Sequence, residues 1–269
     1  MEKILFIGAG SMAEAIISGI VEQQVLPGKQ IYVMNKSDAE RLCNLETRYG
    51  ITKVCEDRSF MNEIDLVVLA TKPKDIQQVM HDIRPYLADG TAVLSVIAGI
   101  SIETFENGLG KRPIARSMPN TSATIGKSAS GIAFNEEVTS EMKQSILSLL
   151  GAIGIVKVVK EDDLHAVTAL SGSGPAYIYY LVEALEEVAV ERGLEAGDAR
   201  ELIIQTLEGA AAMLKTTGEE PSTLRINVTS PGGTTAAGLK ALENHEFKSV
   251  IADCIKSAEA RSRELGALS

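Results

Sequence analysis

A glycine-rich turn near the first residue constrains the fold more than any other feature of the chain. The apolar, β-prone residues 3–7 run directly into Gly8-Ala9-Gly10-Ser11-Met12-Ala13, and apolar residues at helical spacing follow. Strand, tight turn and helix in this order match a dinucleotide-binding fingerprint, although a glycine turn of another α/β protein is the alternative. Gly8 allows the turn, Gly10 lets the backbone approach a diphosphate, and Ala13 permits close helix packing. The predicted diphosphate site consists of Gly8, Ala9, Gly10, Ser11 and Met12.

The end of the second β-prone run bears on cofactor selectivity. Residues 30–34 lead into Asn35-Lys36-Ser37, where an NAD-selective site usually has an acidic residue for the ribose 2′-hydroxyl. Asn35, Lys36 and Ser37 can instead donate to a 2′-phosphate, and the lysine adds positive charge. The sequence therefore predicts NADPH in preference to NADH. In the alternative interpretation Asp38 caps the next helix and Lys36 is an ordinary exposed lysine.

Two further strand ends extend the predicted cofactor site. Residues 65–70 and 92–96 are apolar runs, and in an open α/β sheet the ligand lies outside the carboxyl ends of such strands. A third run, residues 114–118, ends just before an asparagine. The cofactor contacts expected from these ends are Ala70, Thr71, Lys72, Pro73, Ala98, Gly99 and Asn120. For Lys72 a plain surface lysine, and for Asn120 a turn-forming role, are the alternatives.

The pattern of the chain changes near residue 160. Before it, β-prone runs alternate with helical segments, which is typical of a parallel sheet covered on both faces, and residues 131–134 and 155–159 extend that sheet. After it, helical periodicity takes over, with Asp198 expected to cap one helix and the last helix expected over residues 247–265. We predict an α/β fold with a Rossmann-like domain over residues 1–160 and an all-α domain over residues 161–269. A small group of helices buries little apolar surface by itself. We therefore expect these helices to pack on a second subunit.

Composition limits the partners and the compartment. The chain has 26 basic and 36 acidic residues and a net charge of −10, which argues against a nucleic-acid surface or an anionic membrane. Three cysteines and three histidines are too scattered for a disulfide framework or a zinc site, so no metal is predicted and a reducing cytoplasm is favoured. Apolar runs are too short to span a bilayer. We expect a cytoplasmic protein that binds small molecules.

A second glycine-rich turn lies in the helical half of the chain. In the segment Ser230 to Thr235, Pro231 lacks a backbone donor, the two glycines allow a ligand to come close, and two threonines stand at a helix start. A helix N-terminus of this kind favours a carboxylate, although most such sequences are merely turns before helices. The predicted substrate site consists of Ser230, Gly232, Gly233, Thr234 and Thr235. The motif contains no histidine or carboxylate, so no dedicated acid is predicted.

Five motifs together resemble those of the pyrroline-5-carboxylate reductase family, and the likeness spans nearly the whole chain. The motifs are Gly8 to Ala13, Ala70-Thr71-Lys72-Pro73, Met118-Pro119-Asn120-Thr121, Leu170-Ser171-Gly172-Ser173-Gly174-Pro175-Ala176-Tyr177 and Ser230 to Thr235. The resemblance implies reduction of the cyclic imine 1-pyrroline-5-carboxylate to L-proline by NADPH or NADH, the last step of proline biosynthesis. It implies that the backbone around Ser230, Gly233 and Thr234 holds the substrate carboxylate. It also implies that the Thr235 hydroxyl bonds the ring nitrogen, as the catalytic contact.

The same resemblance implies a homodimer through interleaved C-terminal helices, often assembled further into rings. Two positions depart from the family pattern. Ser122 stands where proline usually follows Met-Pro-Asn-Thr, and Asp57 falls where an asparagine near the cofactor ribose is common. An acidic Asp57 in the cofactor site would weaken or reverse the NADPH preference. The rival functions are a β-hydroxyacid dehydrogenase or related imine reductase, whose catalytic-lysine motif is not evident, and a non-catalytic NADP-binding regulator.

Overall fold

The computed structural model describes residues 1–36, 38–54 and 58–267. The chain forms two compact units. The first comprises Met1–Pro175 together with the C-terminal segment from Ser257, and the second comprises Ala176–Lys256. The predicted boundary at residue 160 stays a prediction about the functional domains.

A single twisted sheet organises the first unit. In the described part of the chain it has eight strands in the order β3-β2-β1-β4-β5-β6-β7-β8. The strands are β1 Ile4–Ile7, β2 Ile31–Met34, β3 Thr52–Val54, β4 Leu66–Leu69, β5 Ala92–Ser95, β6 Ile114–Met118, β7 Ser128–Phe134 and β8 Gly154–Val158. The order of the first six is that of a dinucleotide-binding sheet, in which the direction of winding reverses between β1 and β4.

The sheet is not wholly parallel, and in this it differs from the sequence prediction. β7 pairs antiparallel with β6, through Ala115 opposite Phe134 and Met118 opposite Gly131, while β8 is again parallel to β7. The short connection after β6, a 3₁₀ segment at Thr121–Ile125, is compatible with this reversal because antiparallel neighbours need no long crossover. The edge strand β3 was not predicted.

Helices cover both faces of the sheet, as the apolar strands require. In the first unit they are α1 Ser11–Glu22, α2 Ala39–Tyr49, α3 Ile76–Ile83, α4 Ile102–Leu109, α5 Ser140–Gly151 and the short α6 Leu164–Val167. Alternate residues of β1 point to opposite faces: Phe6 joins the core beneath α1 and α5, and Leu5 joins the core beneath α3 and α4. All four residues of β1, β4 and β5 are buried, which fixes these strands at the centre.

The second unit is helical, as predicted. A π-helical turn at Thr168–Gly172 precedes α7 Gly174–Glu191, and α8 Ala196–Thr217, α9 Pro221–Asn227, α10 Thr234–Asn244 and α11 Phe247–Ala267 follow. The part of α11 from Ser257 belongs to the first unit. The prediction for the α8 cap was wrong: the Glu195 carboxylate, not Asp198, accepts from the backbone N–H groups of Gly197 and Asp198. Gly218 ends α8 in the left-handed conformation, as expected. None of the helices in the described ranges combines the length and the apolarity needed to cross a bilayer.

Candidate active site

The carboxyl ends of four neighbouring strands lie side by side, and they carry most of the predicted cofactor residues. The Gly8 N–H donates to the Met34 carbonyl at the end of β2 at 2.9 Å, and the Ala70 N–H donates to Ile7 at the end of β1 at 2.9 Å. The Val96 N–H donates to Leu69, at the end of β4, at 3.1 Å. The segments after β2, β1, β4 and β5 therefore border the point where the winding reverses, which is where an open α/β sheet binds its ligand.

The two glycines of the first turn have different surroundings. Gly8 has φ +103°, and a Cβ atom there would lie 2.4 Å from the Ala70 carbonyl oxygen, so the fold itself requires glycine. A Cβ on Gly10 would meet nothing within 4 Å among the described residues. α1 begins at Ser11, immediately after Gly10, so its first backbone N–H groups, which have no partners within the helix, lie next to this glycine. The turn fits the approach of a diphosphate to a helix N-terminus.

The segment after β4 contains a buried hydroxyl without a partner. Among the described residues, Thr71 Oγ1 is the buried side-chain oxygen or nitrogen for which no hydrogen-bond partner is found. An unpaired buried hydroxyl costs about 1–3 kcal/mol, so a polar ligand group beside it would be stabilising. Ala70 is half-buried next to it, whereas Lys72 and Pro73 are exposed at the start of a 3₁₀ turn. This observation also fits a cofactor at the strand ends.

The segment after β2 is only partly described. Asn35 is half-buried and Lys36 is exposed, while Ser37 and Asp57 lie outside the described residues. Asp38 caps α2, since its Oδ1 accepts from the Arg41 N–H at 2.8 Å. The carboxylate near the expected ribose position is thus occupied in holding a helix end, as the alternative interpretation of Asp38 allowed.

The segment after β5 contacts the C-terminal end of the chain. Ala98 is exposed, and a Cβ on Gly99 would lie 3.6 Å from the backbone of Leu265 and Gly266 in α11. His165 holds the same end of α11, with its Nδ1 atom 2.9 Å from Ser262 Oγ. Burial, followed by the charges of Arg116 and Arg263, lowers the pKa of His165.

A second contact reinforces this arrangement. Arg263 of α11 forms two hydrogen bonds to the Asp162 carboxylate, at 2.6 and 3.1 Å, and these lower the Asp162 pKa. No sequence pattern indicated this anchoring of α11. The partners are about a hundred positions apart, so no local spacing marks them.

Asn120 has defined contacts within the first unit. Its Nδ2 atom donates to the Ser171 carbonyl at 2.9 Å, and its Oδ1 atom accepts from the Ser122 N–H at 3.1 Å. It thereby joins the end of β6 to the π-helical turn, a kind of distortion that is frequent at functional sites. The turn-forming alternative for Asn120 has direct contacts in the structure.

The predicted substrate residues lie together in the second unit. Gly232 has φ +72°, and the Gly233 N–H donates to the Ser230 carbonyl at 3.0 Å, which closes the turn. Gly233 is the N-cap of α10, and the side chains of Thr234 and Thr235 in its first turn are exposed. The segment thus presents backbone N–H groups and two hydroxyls at the positive end of an eleven-residue helix.

No group of three or more His, Cys, Asp or Glu residues is arranged to hold a metal ion in the part of the chain that the structure describes.

Two family models match the chain. The model for pyrroline-5-carboxylate reductase dimerisation matches residues 161–265, and a model described as NADP oxidoreductase, coenzyme F420-dependent, matches residues 3–99. Together they match the glycine turn at one end of the chain and the helical half at the other.

Whole-chain relatives give the same result. A pyrroline-5-carboxylate reductase 2 of Bacillus subtilis is 43% identical over 266 residues, which are 98% of this chain and 95% of the relative. A pyrroline-5-carboxylate reductase of Staphylococcus haemolyticus is 38% identical over 98% of this chain and 97% of its own length.

Solved structures agree with the sequence relatives. A pyrroline-5-carboxylate reductase from Coxiella burnetii superposes with a TM-score of 0.92 at 36% identity, covering 98% of each chain. The Plasmodium falciparum pyrroline carboxylate reductase, solved with NADP bound, has a TM-score of 0.87 at 28% identity, covering 98% of each chain. With a Rossmann-like sheet followed by a helical dimerisation domain, the chain belongs to the pyrroline-5-carboxylate reductase family.

Proposed function

We propose that the protein reduces 1-pyrroline-5-carboxylate to L-proline, the final step of proline biosynthesis, with NADPH as the preferred cofactor. The observation that carries this proposal is the near full-length relationship to pyrroline-5-carboxylate reductases, which includes the helical half of the chain. The Gly10 space and the unpaired Thr71 hydroxyl at the strand ends independently support a bound dinucleotide.

When bound, the cofactor supplies a hydride for the carbon of the C=N bond. The chain's residues bind and orient the reactants. Gly8, Ala9, Gly10, Ser11 and Met12 hold the diphosphate at the α1 terminus, while Lys36, with Asn35 and Ser37, binds the ribose 2′-phosphate. The segments Ala70 to Pro73 and Ala98-Gly99, with Asn120, border the remainder of the dinucleotide.

The α10 terminus holds the substrate carboxylate. A helix N-terminus contributes up to about 2 kcal/mol to anion binding, whereas micromolar to millimolar affinity requires about 4–8 kcal/mol. Several charge-assisted bonds of about 1.5–3 kcal/mol each must therefore act together. The backbone around Ser230, Gly232, Gly233 and Thr234 supplies them, and the Thr235 hydroxyl aligns the ring nitrogen. A protonated imine accepts hydride readily, so orientation of the reactants carries most of the catalysis.

Thr235→Val tests the catalytic contact because valine keeps the shape of threonine and removes the hydroxyl. We expect turnover of 1-pyrroline-5-carboxylate to fall about tenfold or more, the effect of losing one such hydrogen bond, with unchanged cofactor affinity. Thr229→Val, which removes a threonine hydroxyl just before the turn, is the matched control. Native kinetics for Thr235→Val would remove the residue from the mechanism.

Lys36→Ala tests the cofactor preference. Since only NADPH carries the 2′-phosphate, the Michaelis constant should rise more for NADPH than for NADH. Lys29→Ala, which removes an exposed lysine from the residues just before β2, is the control for charge alone. Equal changes for the two cofactors would contradict the assignment of Lys36.

We further propose that the protein is cytoplasmic, that residues 1–160 and 161–269 form the cofactor and dimerisation domains, and that dimers associate into rings. The free thiols of Cys43 and Cys254 support a reducing compartment. Light-scattering mass measurement across a range of concentrations separates a dimer from a ring.

A further inference from the structure

We propose that Arg41 is a positioning residue for the cofactor, whose guanidinium locks the ribose-side loop after β2 to the diphosphate turn after β1. The inference rests on the proposed function, because it concerns the dinucleotide that this function requires. Arg41 was not among the residues that the sequence indicated.

The contacts of Arg41 reach directly into the glycine turn. Its Nε atom donates to the carbonyl of Ala9 at 3.0 Å, and Ala9 lies between the two glycines of that turn. Its Nη2 atom pairs with a carboxylate oxygen of Glu14 in α1. The side chain is 30% exposed and that of Glu14 is 18% exposed, so both bonds are partly shielded from water. The guanidinium thus fixes one carbonyl of the turn and one side chain of the helix that the turn begins.

The backbone of Arg41 is hydrogen-bonded to the segment after β2, where the cofactor ribose is expected. Its backbone N–H donates to Asp38 Oδ1 at 2.8 Å, and the Asp38 carbonyl accepts from Asn35 Nδ2 at 3.5 Å. A continuous set of hydrogen bonds therefore runs from Asn35 through Asp38 and Arg41 to Ala9. It links the two loops between which a dinucleotide must be held.

Charge gives Arg41 a second effect. Glu14 stands in the first turn of α1 and is 18% exposed, and its negative charge opposes an anionic diphosphate at the same helix end. Arg48 bonds the other Glu14 oxygen at 2.7 Å, and the Tyr49 hydroxyl donates to it at 3.1 Å. Removal of Arg41 leaves this carboxylate less compensated and frees the Ala9 carbonyl, and both changes disfavour a bound diphosphate.

The geometry requires arginine. Nε and Nη2 of the planar guanidinium address two different acceptors at once, whereas a lysine ammonium is a compact charge that cannot reproduce the fork. Arg41→Lys keeps the positive charge beside Glu14 but loses the fork, so it should weaken cofactor binding less than Arg41→Met does. Arg48 is 63% exposed and bonds the same Glu14 carboxylate, so Arg48→Met is a matched control.

The predicted effect is the same for both cofactors, because NADPH and NADH share the diphosphate. In fluorescence titrations of the full-length protein, Arg41→Met should raise the dissociation constants for NADPH and NADH by about tenfold, the loss of one charge-assisted bond, and Arg41→Lys should raise both by a smaller factor. The ratio of the two constants should stay native. Arg48→Met should change both constants less than Arg41→Met does.

Steady-state kinetics separate positioning from a merely structural role. The Michaelis constant for cofactor should rise, while kcat at saturating cofactor and the Michaelis constant for 1-pyrroline-5-carboxylate stay native. Native cofactor binding in both Arg41 variants would overturn the proposal. It would also be overturned if only the affinity for NADPH fell, or if kcat and Tm fell together. If Arg41→Met fails to fold, Arg41→Lys decides. Failure of the native protein to bind either cofactor would instead contradict the proposed function.

Discussion

Gly8 and Gly10, which are separated by one residue, have different roles. Gly8 is required by the fold, since its φ of +103° and the Ala70 carbonyl exclude a side chain, whereas the space beside Gly10 is left open by every described residue. The sequence predicted both roles, because the short spacing of the fingerprint defines the local geometry of the turn. Arg41 escaped prediction because its partner Ala9 is 32 positions away. Its only mark in the sequence is its place in the first turn of the helix after the second strand.

The two glycines yield opposite predictions for alanine. Gly8→Ala should destabilise the protein by about 2 kcal/mol or more, the cost of a forced backbone conformation plus a steric clash. Gly10→Ala should lose about 1 kcal/mol or less of stability, since alanine is a poorer cap than glycine, yet bind NADPH about tenfold more weakly. Urea unfolding and cofactor titration measure the two quantities. Unimpaired binding in Gly10→Ala would place the diphosphate elsewhere.

The strands and helices followed from the sequence where their apolar patterns were strong. β1, β4 and β5 are continuously buried, and the last helix, Phe247–Ala267, begins where expected. β3 was missed because it has three residues, one of them an exposed lysine. The antiparallel direction of β7 depends on a pairing between strands, which the period of a single strand does not record. Glu195, not Asp198, caps α8 because the helix begins three residues earlier than expected.

His165, which joins α6 to α11, should make the stability of the protein depend on pH. The pKa of His165 is lowered from 6.5, chiefly by burial, so the unfolded chain binds its proton at a higher pH than the native protein does. The free energy of unfolding should therefore fall as the pH drops below 6.5 towards the folded-state pKa. His165→Gln, which cannot take up this proton, should show a shallower decline. If the free energy of unfolding fell equally in the native protein and in His165→Gln over this pH range, His165 would not be the cause of the decline.

At the scale of the molecule, the helical unit exposes a large apolar surface. Tyr180 of α7 is 76% exposed and Leu202 of α8 is 61% exposed, and further apolar side chains accompany them. Exposure of this extent is rare on isolated monomers. It agrees with the match of residues 161–265 to a dimerisation family. Thin helical packing was predictable from the alanine-rich sequence, whereas the residues that meet in an interface were not.

Leu202→Asp tests the use of this surface. The native protein should have a mass of at least twice the 28.7 kDa of one chain. A buried aspartate without a partner is strongly disfavoured, so the variant should shift towards monomer in light scattering. Glu201→Ala, at the neighbouring exposed position, is the control. A native monomer, or a Leu202→Asp variant that assembles normally, would refute the dimer through these helices.

Transfer of label to 1-pyrroline-5-carboxylate from NADPH that carries deuterium at both C4 positions is the most direct test of the reaction. The native enzyme should form one proline for each cofactor oxidised, with deuterium on Cδ, the carbon of the former C=N bond. Cofactor binding without oxidation would instead identify a non-catalytic binding protein. Faster reduction of a β-hydroxyacid's carbonyl partner would identify a different reductase, and either result would contradict the proposed function.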